Sequence, residues 1–413
     1  MTTRRLAVHG LGYVGLPTAV VFAEAGLDVL GIDVNPDAVN SINGGRPHIV
    51  EPGLDAALRR VVEAGKLRAT LEPEPADVHA IAVPTPFKDS HAPDLTYIES
   101  AARGIAPVLR EGDLVILEST SPIGATERLS GWLSEIRNDL TFPQQVGDLA
   151  QVRVAHCPER VLPGQVLHEV VHNARVIGGM TRRCGTAAAN FYKMAVEGDI
   201  HITSARTAEL AKLAENAFRD VNIAFANELS IICERYRINV WELIELANKH
   251  PRVNILRPGP GVGGHCIAVD PWFIVHGAPE ATRVIRTARE TNDAKPGWVV
   301  EQVRAKAEKL KNPTIACLGL AYKPDVDDLR ESPSIEIVRG LIGTGRLLVA
   351  EPYVDDLPPV LQGCELADFN AAIETADIIV VLTGHEVFRN LDPDAFDQKI
   401  VFDTCGLFKR WAK

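Results

Sequence analysis

A chain of 413 residues has room for two or three domains, and its 46% hydrophobic and 23% charged residues are an ordinary globular mixture. The formal charge of −11 argues against nucleic acid as the main partner, and the longest apolar runs, such as 378–382, are too short to span a bilayer, so no membrane role is expected. Seven cysteines, odd in number, widely spaced and without a CxxC pair, fit neither a disulfide framework nor a zinc ribbon and suit a reducing cytoplasm.

The opening MTTRRLAVHG runs directly into a strand-like segment, so no leader is expected. Apolar periodicity predicts a strand over 6–8, a helix over 14–25 and a strand over 29–33, then further strands over 79–83, 114–118, 152–156 and 175–178. Such alternation means a doubly wound parallel sheet. Between the first strand and helix stands GLGYVG (10–15). Gly10 serves the tight turn, Gly12 the close approach of a pyrophosphate, and Gly15 the packing of helix on sheet. Asp33, eighteen positions after Gly15, suits the ribose hydroxyls of NAD and disfavours a 2′-phosphate. Thr85 in VPTP and Thr120 in ESTSP follow two other strands, where open α/β sheets bind ligands; taken singly, each is as well read as a turn cap.

HEVVH (168–172) matches a zinc-protease pattern, but Pro163-Gly164 and the strand over 175–178 leave room for barely two helical turns, so a solvated helix face is expected and no metal. From about 184 to 249 glycine becomes rare and helical spacing dominates, with helices over 205–234 and 240–247. The polar stretch ETNDAKPG after Arg289 reads as a break that runs into another helix. A second alternating unit then has strands over 314–318, 347–350, 378–382 and 400–402. The expected architecture is two Rossmann-like doubly wound parallel-sheet domains (1–183 and 296–413) joined by a helical middle domain with a long central helix (184–295). No solenoid repeat is visible.

Chemistry concentrates in the middle. Lys212 and Asn216 lie four apart on one helix face, Arg219 continues it, and with Glu209 and Asn227 they sit among Leu210, Leu213, Phe218, Val221 and Phe225. A lysine so placed is suited to moving a proton or stabilising an oxyanion. In GPGVGGHCIAVD (259–270), Cys266 reads as a buried structural thiol, half a metal site or a nucleophile. His265, Lys212 and a following helix N-terminus are features that lower a thiol's pKa. Oxidation of an alcohol to an aldehyde needs one hydride transfer; oxidation onward to an acid needs a covalent adduct, which a cysteine provides. NAD with a reactive cysteine therefore points to four-electron oxidation of a primary alcohol, with Asp270 or Glu159 of CPER placing the hydrolytic water. Gly261, Gly263 and Gly264 are expected to bring backbone against a sugar ring.

GLGYVG, VPTP, ESTSP, CPER, AELAKLAEN, HPRVN, GVGGHCIAVD and GLAYKPDVDDLRES, in this order, resemble the UDP-glucose/GDP-mannose dehydrogenase family over almost the whole chain. Longer stretches (HIVEPGL, TFPQQVGD, CPERVLPGQV, FRDVNIAFANELS, HPRVNILRPGPGVGGHCIAVDPWFIV) are similar to the branch that acts on UDP-N-acetyl-D-mannosamine. The resemblance implies that Cys266 is the nucleophile and Lys212 the proton donor and acceptor. Tyr13, Val14, Asp33, Thr85, Thr126 and Arg330 would contact NAD. Arg160, Val161, Lys212, Asn216, Arg219, His250, Arg252, Gly263, Tyr322 and Lys323 would hold the UDP-sugar, with Arg252 reaching the neighbouring site of a homodimer. The product would be a sugar uronate for surface polysaccharide. UDP-N-acetylglucosamine or UDP-glucose are the sister substrates; a one-hydride hydroxyacid dehydrogenase has no use for Cys266, and a non-catalytic sensor has none for the set Lys212, Asn216, Cys266 and Asp270. One departure stands out: DTCG puts Cys405 where the family carries a basic residue, with Lys409 and Arg410 nearby as replacements.

Overall fold

The computed structural model describes residues 5–408 apart from 163, 265 and 392. The chain forms two compact units, Met1–Ala214 and Glu215–Lys413. Of the residues named above, His265, Lys409, Arg410 and Pro163 lie outside the described set.

The first unit is built on strands β1 (Arg5–His9), β2 (Asp28–Ile32), β3 (Leu67–Thr70), β4 (Val78–Ile81), β5 (Leu114–Leu117), β6 (Arg153–His156), β7 (Arg175–Gly179) and β8 (Ile200–Ser204). Their order is β3-β2-β1-β4-β5-β6-β7-β8, parallel throughout except where β6 meets β7. The inner strands are buried on both faces, as a parallel sheet covered by helices requires, and this is why they read as unbroken apolar runs. One core joins Leu6, Val8, Leu16, Phe22 and Ile116 on one side; another joins Ile81, Ile98, Leu117, Leu129 and Phe142 on the other. The helix Arg182–Tyr192 and strand β8 belong to this unit, so it continues well past residue 183.

The second unit carries β9 (Thr314–Leu318), β10 (Arg346–Ala350), β11 (Glu365–Leu366), β12 (Ile378–Val381) and β13 (Ile400–Asp403) in the all-parallel order β11-β10-β9-β12-β13. Helices Val240–Ala247, Asp270–Gly277 and Arg283–Ala307 accompany it, together with the larger part of the long helix Ala205–Tyr236.

The expected break at ETNDAKPG is absent: the helix Arg283–Ala307 runs through it, with Pro296 inside. Asn292 and Lys295 of this stretch, with Arg289 just before it, face the long helix, while Glu290 and Asp293 face water. Arg289, fully buried, donates through Nη1 to Asp220 Oδ1 (2.6 Å), and Asn292 Nδ2 donates to the same oxygen (2.8 Å) and to the Asp220 carbonyl (3.0 Å). Asn227 Nδ2 donates to Asn292 Oδ1 (2.8 Å). Lys295 donates to Ser230 Oγ (2.6 Å) and lies over the Trp298 ring at 3.9 Å. The long helix thus presents Asp220, Asn227 and Ser230 as partners for residues that in isolation look like a loop.

Burial lowers the Lys295 ammonium from its ordinary value to about 7. The unfolded chain then binds one more proton than the native state from about pH 7 up to the ordinary lysine range, so this residue's contribution to stability rises with pH in that window. In urea denaturation, Lys295→Met is expected to hold its greatest advantage over the wild type at pH 7, with the wild type recovering by up to about 1.4 kcal/mol per pH unit toward pH 9. A difference independent of pH would mean that Lys295 stays charged in the native state.

Candidate functional site

In the first unit the turn after β1 is set by glycines with three different duties. Gly10 has φ +90°, its amide donates to the Ile32 carbonyl (2.8 Å), and a Cβ there would stand 2.7 Å from the Ala82 carbonyl oxygen. A Cβ on Gly15 would lie 1.8 Å from the Gly10 oxygen, so the helix Gly15–Glu24 could not close on its strand. A Cβ on Gly12 meets nothing within 4 Å, which is the open cradle a dinucleotide phosphate requires. The helix opens at Val14 with no side-chain cap; Leu16 N donates to the Gly12 carbonyl (3.1 Å) and Pro17 has no N–H, so what the helix offers an anionic ligand is the positive end of its dipole. Asp33 holds the turn from below, Oδ2 accepting from Leu11 N (2.9 Å) and Oδ1 from Asn35 N (2.9 Å). Tyr13 is exposed and Val14 half-buried at the rim.

The loops after β4 and β5 are stitched together: Thr85 Oγ1 donates to the Thr120 carbonyl (2.5 Å), and Ser119 Oγ to the Val83 carbonyl (2.7 Å). Both loops stand at the carboxyl ends of strands, beside the point between β1 and β4 where strand order reverses. These residues fit NAD, which supplies a hydride acceptor when bound.

Two expected roles change on contact with the structure. Thr126 is fully buried, and its amide and hydroxyl both donate to Glu209 (2.8 and 2.6 Å), which also takes the Gly124 amide (2.6 Å). Its hydroxyl is committed to fixing that turn. Glu159 is buried, with Oε2 paired to Arg175 (2.6 Å) and Oε1 accepting from the Arg160 amide (2.7 Å), so both oxygens are engaged in holding the CPER loop. Arg160 donates to the Ala174 carbonyl (3.1 Å), and Val161 beside it is half-buried. His168 and His172 lie exposed on one face of the helix Val166–His172 with rings stacked at 4.2 Å, while Glu169 accepts from Leu162 N (2.7 Å).

Lys212 is half-buried, one turn before Asn216 on the long helix. In the second unit Asn216 is buried and donates through Nδ2 to Asp270 Oδ2 (2.5 Å), the first residue of the helix Asp270–Gly277. Cys266 is exposed in the turn before it, its carbonyl accepting from Val269 N (3.2 Å) and Asp270 N (2.9 Å). The segment is pinned elsewhere too: Gly259 N donates to Asn227 Oδ1 (2.9 Å), and Arg289 to the Ile267 carbonyl (3.4 Å). The other six cysteines are buried or half-buried, and burial pushes Cys157, Cys317 and Cys405 up to about 12.

On the side where a Cβ would stand, the glycines before Cys266 meet protein, while Gly261 also lines the cavity of the second unit. A Cβ on Gly263 would stand 2.4 Å from the Glu331 carbonyl oxygen, and one on Gly264, at φ +83°, would stand 2.9 Å from the Tyr322 ring. Gly261 is likewise closed by Pro333, 2.8 Å from its would-be Cβ. Their part is to let this loop nest on Tyr322 and the 331–333 turn. Of the remaining expected contacts, Lys323, Arg219, His250 and Arg252 are exposed, and Arg330 forms a two-point ion pair with Asp328 (2.8 and 2.7 Å). Leu210, Phe218 and Phe225 are also exposed, which corrects the apolar surroundings expected for Lys212.

A cavity of about 510 Å³ opens in the second unit where β9, β12 and β13 end, lined among others by Arg257, Tyr322, Thr383, Arg389 and Cys405. Arg257, Thr383 and Arg389 escaped the sequence reading. Thr383 follows a strand as Thr85 does, and Arg257 stands two residues before the glycine run, so both carried a usable signal. Cys405 is held as a neutral thiol whose Sγ donates to the Leu382 carbonyl (3.2 Å). Among the described residues, the cations lining this cavity are Arg257 and Arg389.

The fold defines a protein with one dinucleotide-binding domain and a second parallel-sheet domain that opens a cavity at its strand ends. Three family models match in sequence: the NAD binding domain (4–196), the central domain (206–294) and the UDP binding domain (316–410) of the UDP-glucose/GDP-mannose dehydrogenases. The chain is 60% identical over 407 residues to an NDP-N-acetyl-D-galactosaminuronic acid dehydrogenase of Ralstonia nicotianae, covering 98% of this chain and 96% of that one. It is 56% identical over 423 residues to the UDP-N-acetyl-D-mannosamine dehydrogenase of Escherichia coli K12, covering 99% and 100%. A solved UDP-D-ManNAc dehydrogenase from Pyrococcus horikoshii matches with a TM-score of 0.88 at 39% identity, over 98% of this chain and 96% of that one. The chain belongs to the UDP-glucose/GDP-mannose dehydrogenase family, and it is an NAD-binding nucleotide-sugar dehydrogenase.

The glycines separate binding from folding. Gly12→Ala is expected to keep the wild-type melting temperature and raise the KM for NAD at least tenfold, whereas Gly15→Ala should cost about 1–3 kcal/mol of stability or more. Calorimetric melting and NAD titration of the two variants check this.

Proposed function

We propose that the protein oxidises C6 of UDP-N-acetyl-D-mannosamine to the carboxylate, consuming two NAD and one water, in the cytoplasm, to supply a uronate for surface polysaccharide. The observation that carries this reading is the exposed Cys266, set in a turn whose following residue Asp270 is gripped by Asn216. Lys212 Nζ takes the hydroxyl proton as the first hydride leaves. Cys266 Sγ adds to the aldehyde carbon, and Asn216 and Lys212 steady the resulting oxyanion. Loss of the second hydride leaves a thioester. Water, oriented by Asp270, attacks it, releasing the carboxylate and restoring the thiol. Both Glu159 oxygens hold the CPER loop, which speaks against Glu159 for the water. Tyr322, Lys323 and the two arginines of the second-unit cavity serve the UDP moiety, in keeping with the family's UDP binding domain over 316–410.

A second reading changes the sugar only. The Ralstonia relative at 60% identity bears an N-acetylgalactosaminuronate name, so UDP-N-acetylgalactosamine stands beside UDP-N-acetylglucosamine and UDP-glucose as an alternative. The homodimer belongs to the proposal as well. Phe218, Phe225 and Ile232 are 68%, 52% and 43% exposed at seven-residue intervals along the long helix, a stripe that a second copy would cover, with Arg252 serving the neighbouring site.

Incubation with UDP-N-acetylmannosamine, its gluco and galacto isomers and UDP-glucose, followed by NADH absorbance and product identification, is expected to show fastest turnover with the manno sugar and two NADH per sugar. Cys266→Ser should lower uronate formation by at least a thousandfold; full activity in that variant removes the nucleophile. Phe225→Glu is expected to shift the protein to monomer in sedimentation.

A further inference from the structure

The loop Gly319–Asp325 leaves β9 and carries Tyr322, Lys323 and Pro324, of which Tyr322 and Pro324 wall the nucleotide cavity. It is tied at both ends. At its start, Gly319 N donates to the Ala350 carbonyl (2.8 Å), and the amides of Leu320 and Ala321 donate to Glu351 Oε2 (2.6 and 3.0 Å). At its end, Asp325 N donates to His385 Nδ1 (2.9 Å), while Asp325 Oδ1 accepts from the Tyr353 hydroxyl (3.0 Å) and the Glu386 amide (2.9 Å). His385 joins the two ends, because its Nε2 lies 3.1 Å from Glu351 Oε2.

We propose that His385 is a positioning residue for the substrate: a buried tether, bridging Glu351 to the Asp325 amide, that holds Tyr322 and Lys323 against the nucleotide pocket. This rests on the reading of that pocket as the UDP site. His385 is fully buried and directly follows Gly384, itself a wall residue of the cavity. Its bonds fix its hydrogen. An amide N–H only donates, so Nδ1 is the bare acceptor and Nε2 carries the hydrogen to the carboxylate. Burial works against ionisation of Glu351, but the His385 hydrogen bond and the Leu320 amide outweigh it and hold its carboxyl below the ordinary value. The imidazole is a spacer of fixed length with one donor and one acceptor. The three residues between the tied ends have their freedom removed before any ligand arrives, which is how preorganisation raises affinity.

The two functions of the ring can be separated. The side-chain oxygen of His385→Asn reaches the place of Nδ1 and still accepts from Asp325, whereas the amide of His385→Gln reaches the place of Nε2 and still donates to Glu351. Isothermal titration of each full-length protein with UDP, and steady-state kinetics with the best UDP-sugar, are the measurements. His385→Asn is expected to stay within about threefold of wild type in UDP affinity and sugar KM, and His385→Gln to lose roughly tenfold in both, with kcat and the KM for NAD little changed. Tyr353→Phe, which removes one surface hydroxyl from the same anchor, should weaken UDP roughly threefold and reads the tether even if the glutamine variant does not fold. Equal effects of Asn and Gln, a matching change in the KM for NAD, or unchanged UDP affinity in both His385→Gln and Tyr353→Phe would overturn the proposal. Failure of the wild type to bind UDP would instead bring down the reading of the pocket.

Discussion

The buried pair of Asp220 and Arg289 is the constraint on which the second unit turns. Taking two charges out of water is costly, and removing one partner of a buried pair costs about 3–5 kcal/mol because the other charge is left uncompensated. Here Asp220 Oδ1 accepts from both Arg289 and Asn292, while Asp220 Oδ2 and Arg289 Nε have no hydrogen-bond partner among the described residues, and Arg289 in turn reaches the Ile267 carbonyl, one residue beyond Cys266. The same helix that carries Asp220 holds Asn216 on Asp270 one turn earlier and Asn227 on Gly259 further along. One polar stripe on one helix therefore sets both ends and the middle of the segment 259–270. A loop that carries an exposed thiol gains in this way the precision of a helix.

Both sheets solve the same local problem. In each, a glycine with φ near +90° ends the first strand and donates to the last carbonyl of the second, Gly10 to Ile32 and Gly319 to Ala350, both at 2.8 Å. In each, the acid directly after the second strand collects the amide of the next residue, Asp33 from Leu11 and Glu351 from Leu320. The turn is a property of the strand–turn–helix unit, and the acid is part of its construction before it serves any ligand.

How much of this is written in the sequence depends on burial. Strands with both faces covered show as apolar runs, and β1, β4, β5, β9 and β12 are where periodicity puts them. The strands that pass unnoticed are β3, β8 and β11, at the sheet edges, where one side faces water and the pattern is mixed or only two residues long. ETNDAKPG misleads because polar composition cannot distinguish a solvated loop from a helix face whose partners, Asp220, Asn227 and Ser230, lie far along the chain. The glycines of GVGG mislead for the same reason: their neighbours Tyr322, Glu331 and Pro333 come from a distant turn. GLGYVG was legible because its reasons are local, with Gly15 blocked by Gly10 and Gly12 blocked by nothing. Asn216 with Asp270 was legible as a pair of candidates, though not as a bonded pair.

The likeness of the two turns has a consequence for which ligand goes where. The residue that follows Leu11 is Gly12, open to solvent and to phosphate; the one that follows Leu320 is Ala321, 1% exposed, whose amide is already spent on Glu351. A single methyl group and one extra methylene on the acid close the second cradle to a pyrophosphate lying across its turn. The second sheet thus offers no such cradle at its turn, and the open space at its carboxyl end is the cavity beyond the strand ends. The two sheets share one architecture, and the second has one of its two doors filled in.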